Sequence, residues 1–471
     1  MTDPLVVPAE AVRSWEYEAD VAVVGAGGCG MVAALSAAEL GAQVLLIDRD
    51  RTGACNTARS GGMIPAGGTR FQRAAGIAES PEDFALEILA KNGGQSPREL
   101  TFALCRRAPE LVHWLVDRQR VRLELVTDFK YPGHTEYRMH TPPERTGAAL
   151  FAMLREAVHR EANIQVALGA NGQGLVADRG AVGGVSVEIG SAVEFVRARK
   201  VILALNGFGG NPPLVAQHIP EMAGVLYFGG EESTGEGIRW GQALGAATAF
   251  MDAYQAHASV AQPGGTLVSY AVIMQGGIQV NRLGRRFADE TLGYSEHAVE
   301  LARQPDRIAV EVFDQPIYDQ ALQFPDFRAC VEQGVVKRAT TVAELASLFG
   351  LPAAELERTV EGYNAANRTL APDEVGRPPS GRPLTPPFYA VEVTAALIHT
   401  QGGLVVNQHA QVVTPDGSPI PNLYAGGGVA AGVSGHGPAG YLSGNGLLTA
   451  LGYGRIAGEH CAKALVRERA Y

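Results

Sequence analysis

Asp20-Val-Ala-Val-Val-Gly-Ala-Gly-Gly-Cys-Gly-Met31, running on to Val44-Leu-Leu-Ile-Asp48, is the stretch whose reading decides the fold. The apolar run Val21 to Val24 reads as a buried parallel strand, and Gly25, Gly27 and Gly30 follow it at G-x-G-x-x-G spacing. An Ala/Leu-rich helix continues through Leu40 to a stop at Gly41, and a second apolar strand ends in the acid Asp48. Each part has a job in gripping a dinucleotide. Gly25 makes the tight turn, Gly27 lets backbone approach a pyrophosphate, and Gly30 lets helix pack on strand. The helix N-terminus faces the negative charge, and Asp48 accepts from the adenosine ribose hydroxyls. Glycine loops alone turn many chains that bind nothing. Strand, helix, second strand and acid at these offsets together read as a dinucleotide site.

The rest of the composition narrows the partners. The chain has 471 residues, 46% hydrophobic and 19% charged, enough for two or three separate cores. A net charge of −10 with no Lys/Arg block argues against nucleic acid or an anionic membrane as partner. The five cysteines (Cys29, Cys55, Cys105, Cys330, Cys461) are scattered without C-x-x-C or metal-ligand spacing, so no metal is expected and they read as reduced cytoplasmic thiols. Met1 to Glu18 lacks the basic and apolar regions of a signal peptide, and no apolar run reaches membrane-spanning length.

Outward from the first motif, Arg49 to Met63 is a loop of small residues in which Ser60, Gly61, Gly62 and Met63 offer backbone N–H groups to a flat ring. It holds no His, so a ring cofactor is expected to be held non-covalently. Ser80 to Arg120 has helical spacing, with Pro81-Glu-Asp at a helix start. Asp128 to Arg145 is irregular and rich in Tyr131, His134, Tyr137, Arg138, His140 and Arg145, which suits either a pocket wall or a solvated connector. Gln165 to Leu205 reads as a small antiparallel set ending in a buried strand, whose carboxyl end opens into Asn206-Gly207. From about Ala253 to Phe388 nucleotide signals stop. Within that span Gly277 to Phe287 reads as strand, turn and strand, helices follow at 342–348 and 353–368, and a Pro-rich linker runs from Ala371 to Pro387. Glycine-rich strand ends and a helix start return in Leu423-Tyr-Ala-Gly-Gly-Gly428 and Gly435 to Asn445. This layout implies an α/β protein. A Rossmann-like FAD-binding domain is built from both chain ends (1–254 and 390–471), and an inserted α+β capping domain (255–389) covers the flavin ring.

With these pieces in place, the chain resembles the flavoprotein family of soluble fumarate reductases and 3-ketosteroid Δ1-dehydrogenases. The resemblance rests on the N-terminal unit, Ser60-Gly-Gly-Met63, Gly277-Ile-Gln-Val-Asn with Gly-Arg-Arg-Phe-Ala-Asp-Glu290, His399-Thr-Gln-Gly-Gly403, and Leu423 to Gly428 running on to Arg455-Ile-Ala-Gly458. It implies non-covalent FAD. The expected contacts in the first third are Gly25, Ala26, Gly27, Gly30, Asp48, Arg49, Thr57 and the Ser60–Met63 loop. Ala170, Asn206 and Gly207 come from the middle, and Gly427, Gly428, Ser443, Asn445 and Leu447 from the C-terminal part. Family members often carry Glu or Asn where this chain has Gly428, so that flavin contact must come from backbone or water.

The resemblance also picks a branch. Fumarate reductases place an arginine proton donor four residues past the Glu, and here that position is Tyr294, which matches the proton-abstracting tyrosine of the ketosteroid enzymes. A second arginine, which clamps a substrate carboxylate in Asn-Arg-Leu-Gly-Gly-Asn, is replaced by Tyr441 in Gly440-Tyr-Leu-Ser-Gly-Asn445. A dicarboxylate site needs planar bidentate cations, whereas tyrosine can only hydrogen-bond a neutral carbonyl or, ionised, take a proton. With the ordinary phenol pKa about 10, the base role asks for Tyr294 to be shifted downward by a donor or cation. The resulting expectation is FAD-dependent α,β-dehydrogenation (desaturation) of a cyclic ketone. Tyr441 and a backbone N–H such as that of Gly440 bind the oxygen, Tyr294 removes the α-proton, and hydride passes to flavin N5. His399 either meets the substrate or fixes the Gly402-Gly403 turn, and the electron acceptor stays unidentified. The chain length favours small rings, of cyclohexanone or 4-oxocyclohexanecarboxylate type, over steroids. The rival readings are an ene reductase of fumarate-reductase type acting on an unsaturated acid, and a non-catalytic FAD-stabilised scaffold.

Overall fold

The computed structural model describes residues 5–469. The first four residues of the Met1–Glu18 stretch, which also begin the first FAD segment, and the last two of the C-terminal segment lie outside them. Two sheets organise the chain. In the nine-stranded sheet, Tyr17–Val24 runs parallel between Ala192–Leu203 and Val44–Asp48, with Lys200 opposite Val21 and Val21 opposite Val44. Val21, Ala22 and Val23 are fully buried, as an apolar strand flanked on both sides and both faces must be. The C-terminal strand Pro419–Ala425 joins the same sheet, parallel to Ala192–Leu203 with Val201 opposite Leu423. Both chain ends therefore build one sheet, as the sequence implied.

The helix Gly28–Ala38 is buried along its whole length and packs on the last helix, Asn445–Arg469. Close approach is what the glycines there permit: a Cβ at Gly454 or Gly458 would stand 2.5 or 2.3 Å from the carbonyl oxygens of Cys29 and Ala33. The antiparallel set differs in one respect from the sequence reading. Ala170–Asp178, Ala181–Ile189 and Ala192–Leu203 form a meander, but Ile164–Leu168 pairs in parallel with Val44–Asp48 and extends the main sheet. The alternation of its side chains does not reveal which neighbour it takes.

The second, six-stranded sheet is centred on Phe388–Thr400, which pairs with Leu226–Tyr227, Tyr254–Ala261, Ile308–Asp314 and Lys337–Ala339; Ile278–Asn281 lies beyond Ile308–Asp314. The long strand Phe388–Thr400 carries the chain across residue 390, so the return to the first sheet falls later than the Pro-rich linker suggested. After Ile278–Asn281 the chain turns, Asn281 N–H donating to the Arg285 carbonyl at 2.9 Å, and no second strand forms. Arg286 instead turns inward to bind Glu290. Val342–Phe349 and Ala353–Thr369 are helices, as their spacing indicates. No helix among the described residues is long and apolar enough to cross a membrane.

Candidate active site

The dinucleotide end of the site is built by its glycines. Gly25 has φ +106°, and a Cβ there would meet the Ala204 oxygen at 2.5 Å; at Gly30 it would meet the Gly25 oxygen at 1.8 Å. Only glycine allows the turn at the first and the helix-on-strand packing at the second. Gly27 is different: its nearest neighbour is Cys55 Cβ at 4.0 Å, and it faces a long cavity. This open backbone in front of the Gly28–Ala38 N-terminus is the cradle a pyrophosphate needs. Asp48 lies alongside, accepting the N–H groups of Ala26 at 2.5 Å and Asp50 at 2.8 Å, while burial raises its pKa.

From Asp48 the cavity runs past Thr57, Ser60, Gly61 and Met63, then Ala170 and Asn206, to Gly427, Gly428 and Leu447. These expected cofactor contacts share one wall, and the cradle, the acid and the flat small-residue loop fit FAD. Three serve the wall by packing. Thr57 Oγ1 accepts the Gly28 N–H at 3.1 Å, Arg49 pairs with Glu232 and Glu236, and Asn206 Oδ1 accepts the Gly207 N–H at 3.0 Å. A Cβ at Gly428 would lie 2.4 Å from Asn206 Oδ1 and 2.7 Å from the Gly207 nitrogen, so a larger side chain has no room there.

Gly30, Gly62, Gly207, Gly440 and Asn445 stand outside the cavity lining. At Gly62 and Gly207 the Cβ position is taken by the Thr146 oxygen and Thr400 Oγ1. Asn445 turns its amide to Ser434 Oγ at 3.2 Å. Gly440 is packed between the Ser434 carbonyl and Asn92, so the expected backbone donor to a ketone is not this residue. The glycines that do line the cavity beside Tyr441 are Gly444 and Gly446.

At the other end stand the two tyrosines. Tyr294 begins the helix Tyr294–Ala302 in the second half of the chain, and Tyr441 lies in the loop that leads to Asn445–Arg469. Their ring centroids are 6.3 Å apart and both face the cavity. Tyr294 Oη donates to Ser443 Oγ at 2.8 Å. Ser443 was expected at the flavin; it lines the cavity, but its hydroxyl belongs to Tyr294. The Tyr441 hydroxyl rests on the backbone N–H groups of Gly446 and Gly444, which partly offset the burial that pushes its pKa up to about 12. Burial and the neighbouring Tyr441 hold Tyr294 well above the ordinary phenol value, with Ser443 pulling the other way. The downward shift expected from the sequence is therefore absent. Among the described residues no cation offsets that burial, and Tyr294 is a neutral phenol at rest.

The sequence did not single out His257, Tyr270 or Ser269, yet all three line this end. His257 stacks on Tyr294 with centroids 5.0 Å apart and planes at 20°, and Tyr270 meets both rings edge-on. The Ser259 N–H donates to His257 Nδ1 at 3.1 Å, leaving Nε2 as the protonated nitrogen. Burial drives His257 down to about 3 and His399 to about 4, so both are neutral imidazoles. His399 Nδ1 is held by Gln401 Nε2 at 2.9 Å, and its other nitrogen faces Gly446 and Tyr441. The signal for His257 was present in the strand Tyr254–Ala261, where the polar residues Gln255, His257 and Ser259 alternate with apolar ones.

The polar-aromatic loop divides its roles. Tyr131, Met139 and Arg145 line the cavity, with Arg145 held by both oxygens of Asp128 at 2.8 and 3.1 Å. His134, Arg138 and His140 are buried behind it, Arg138 bound between Glu79 and Glu87. Among the described residues, no arginine or lysine charge acts on Tyr441, His257 or His399.

Residues 20–447 match the family described as FAD binding domain. The chain is 30% identical over 450 residues to NADH:fumarate oxidoreductase of Klebsiella pneumoniae (strain 342), a match covering 94% of this chain and 48% of that protein. The chain thus spans about half the length of that relative. In structure it is similar to the open conformation of a flavocytochrome c3 fumarate reductase (TM-score 0.82, 28% identity, 97% of this chain and 80% of that one). It is also similar to 3-ketosteroid-Δ4-(5α)-dehydrogenase from Rhodococcus jostii RHA1 in complex with 4-androstene-3,17-dione (TM-score 0.77, 29% identity, 97% of this chain and 99% of that one).

Proposed function

The chain belongs to the FAD binding domain family, and on that premise we propose that it works as an FAD-dependent dehydrogenase that introduces a carbon–carbon double bond beside the carbonyl of a cyclic ketone. One observation carries the reading: Tyr294 and Tyr441 face the same cavity with their ring centroids 6.3 Å apart, among neutral imidazoles. Uncharged donors of this type suit a carbonyl oxygen, and they offer a dicarboxylate nothing to balance its charge.

The residues divide the work. Tyr441, poised on the Gly444 and Gly446 amides, donates to the ketone oxygen and stabilises the negative charge that grows there as the α-carbon loses its proton. Tyr294, after losing its own proton to solvent with Ser443 steadying the phenolate, takes that proton and returns to the neutral phenol that donates to Ser443 at 2.8 Å. His257 and His399 offer further N–H groups to the same space, and Tyr131 and Tyr270 help exclude water. Bound FAD supplies the oxidant that accepts the β-hydrogen with its electron pair.

Length no longer favours a small ring, because the chain covers 99% of a ketosteroid dehydrogenase. Cyclohexanone, 4-oxocyclohexanecarboxylate and saturated 3-ketosteroids are therefore to be compared as substrates with an artificial electron acceptor. Mass spectrometry should detect a product two hydrogens lighter that carries an enone absorbance, and its absence with every ketone contradicts the proposal. The rival is reduction of an unsaturated acid, favoured by the fumarate-reducing relative and by Arg145 on the cavity wall. Oxidation of the dye-reduced protein by fumarate would support it.

A further inference from the structure

Beneath the tyrosines lies a set of buried polar groups that the proposed reaction does not use. Glu311 is fully buried in the strand Ile308–Asp314, opposite Gln279 on one neighbouring strand and Val391 on the other. Its Oε1 accepts from Ser259 Oγ and from Gln279 Nε2 at 2.8 Å, and its Oε2 has no partner. Gln279 Oε1 in turn meets His297 Nε2 at 2.9 Å. A carboxyl, an amide, a hydroxyl and an imidazole are costly to bury, and a half-satisfied carboxyl more so.

The nearby charges cancel without Glu311. Glu290 and Asp373 are matched by Arg286 and Arg377, and although burial opposes its charge, the two guanidiniums hold Glu290 at about 2. The remaining titratable groups around Glu311 are Tyr270, His297, Cys330 and, across Ser259, His257. None brings a balancing positive charge: burial holds both histidines neutral at ordinary pH.

Ser259 joins this set to the cavity. Its hydroxyl donates to Glu311, and its backbone N–H donates to His257 Nδ1 at 3.1 Å, fixing the tautomer that carries the proton on Nε2 in a ring that lines the cavity. We propose that Glu311 is a positioning residue of the active site: acting through Ser259, its protonation state sets how strongly His257 donates into the cavity. This rests on the ketone reading only for what His257 donates to. Burial raises the Glu311 carboxyl to about 7, with Glu290 adding to the rise, so the switch falls in the working pH range. A neutral Glu311 leaves His257 the stronger donor. An ionised one places an unbalanced negative charge behind the ring and weakens the Nε2–H.

The test uses FAD-loaded protein carrying ¹⁵N-histidine, with the His257 signals assigned by loss in His257→Gln. Wild-type His257 nitrogen resonances should shift with a midpoint near 7, and E311Q should remove the shift. Ser259→Ala, which leaves the carboxyl and the backbone N–H in place, should keep the infrared band of a protonated acid and weaken the His257 response, and an undiminished response there overturns the route through Ser259. Flat His257 resonances in the wild type from about pH 5 to about pH 9, or an unchanged shift in E311Q, overturn the proposal. Turnover of whichever ketone is oxidised should fall about two- to tenfold as pH rises through that midpoint in the wild type, and stay level in E311Q. The resonance measurement needs no substrate, so it fails or succeeds independently of the ketone reading.

Discussion

Tyr294 Oη donates to Ser443 Oγ at 2.8 Å, which ties the first residue of the helix Tyr294–Ala302 to the loop before Asn445–Arg469. One hydrogen bond thus spans the two halves of the molecule at the point where the chemistry is proposed. It also steadies the ionised form of a phenol that burial holds protonated at rest.

Replacing Tyr294 with Phe keeps the ring that stacks on His257 and removes the proton acceptor. Ketone oxidation should fall well over tenfold, with the flavin spectrum and FAD content unchanged. Ser443→Ala should cost less, since Tyr294 keeps its place but loses the hydroxyl that steadies its ionised form. Anaerobic single-turnover rates of flavin bleaching measure both.

Tyr441→Phe removes a donor to the ketone oxygen but leaves the Gly444 and Gly446 amides in place. The loss in kcat should be of the order of a hundredfold, as for a single oxyanion donor. A change confined to KM would instead make Tyr441 a mere binding contact.

The grip on FAD should weaken when Asp48 becomes Asn, because the acid already accepts two backbone N–H groups and a ribose hydroxyl would share its oxygens. FAD affinity should drop about tenfold with the fold intact, measured by flavin absorbance after gel filtration. Gly30→Ala should go further and yield protein without flavin, since its Cβ would stand 1.8 Å from the Gly25 oxygen.

Glu311 should leave a mark on stability as well. Its folded pKa, about 7, lies above the value of 4.5 for an exposed Glu, so the folded state holds this proton more tightly than the unfolded one. The stability this contributes is fully present below about 4.5 and is lost as pH rises through about 7. Wild type should therefore lose more Tm than E311Q between pH 5 and pH 8, a difference on the order of a few kcal/mol at most. Parallel curves for the two proteins would place the carboxyl elsewhere on the pH scale.

The dinucleotide half was legible because its constraints are local. Gly25, Gly27, Gly30 and Asp48 each answer to neighbours set by a strand–turn–helix of fixed geometry. The glycine-rich end marks Pro419–Ala425 as a strand of the same domain, while its neighbour, Ala192–Leu203, is shown by the structure alone. Other features depend on distant partners. Ile164–Leu168 looked like part of the meander because its choice of neighbour is not written in its own alternation. Gln255, His257 and Ser259 alternate along Tyr254–Ala261, but alternation alone does not show that this face of the strand meets the cavity, and the His257 tautomer is decided by Ser259 two residues on. Tyr294 lines the cavity, but the downward shift that the base role asks for is absent, since the sequence shows which residue stands there and not the apolar walls that surround it. Gly440 failed for the opposite reason: its motif position was right, while the turn of the loop aims it at Ser434 and Asn92.

The most direct test of the central claim is anaerobic mixing of the FAD-loaded protein with a saturated cyclic ketone while the flavin absorbance is followed. Rapid bleaching in the wild type, absent in Tyr294→Phe, is the predicted result. An unchanged spectrum with every ketone, together with prompt reoxidation of the reduced protein by fumarate, would contradict it.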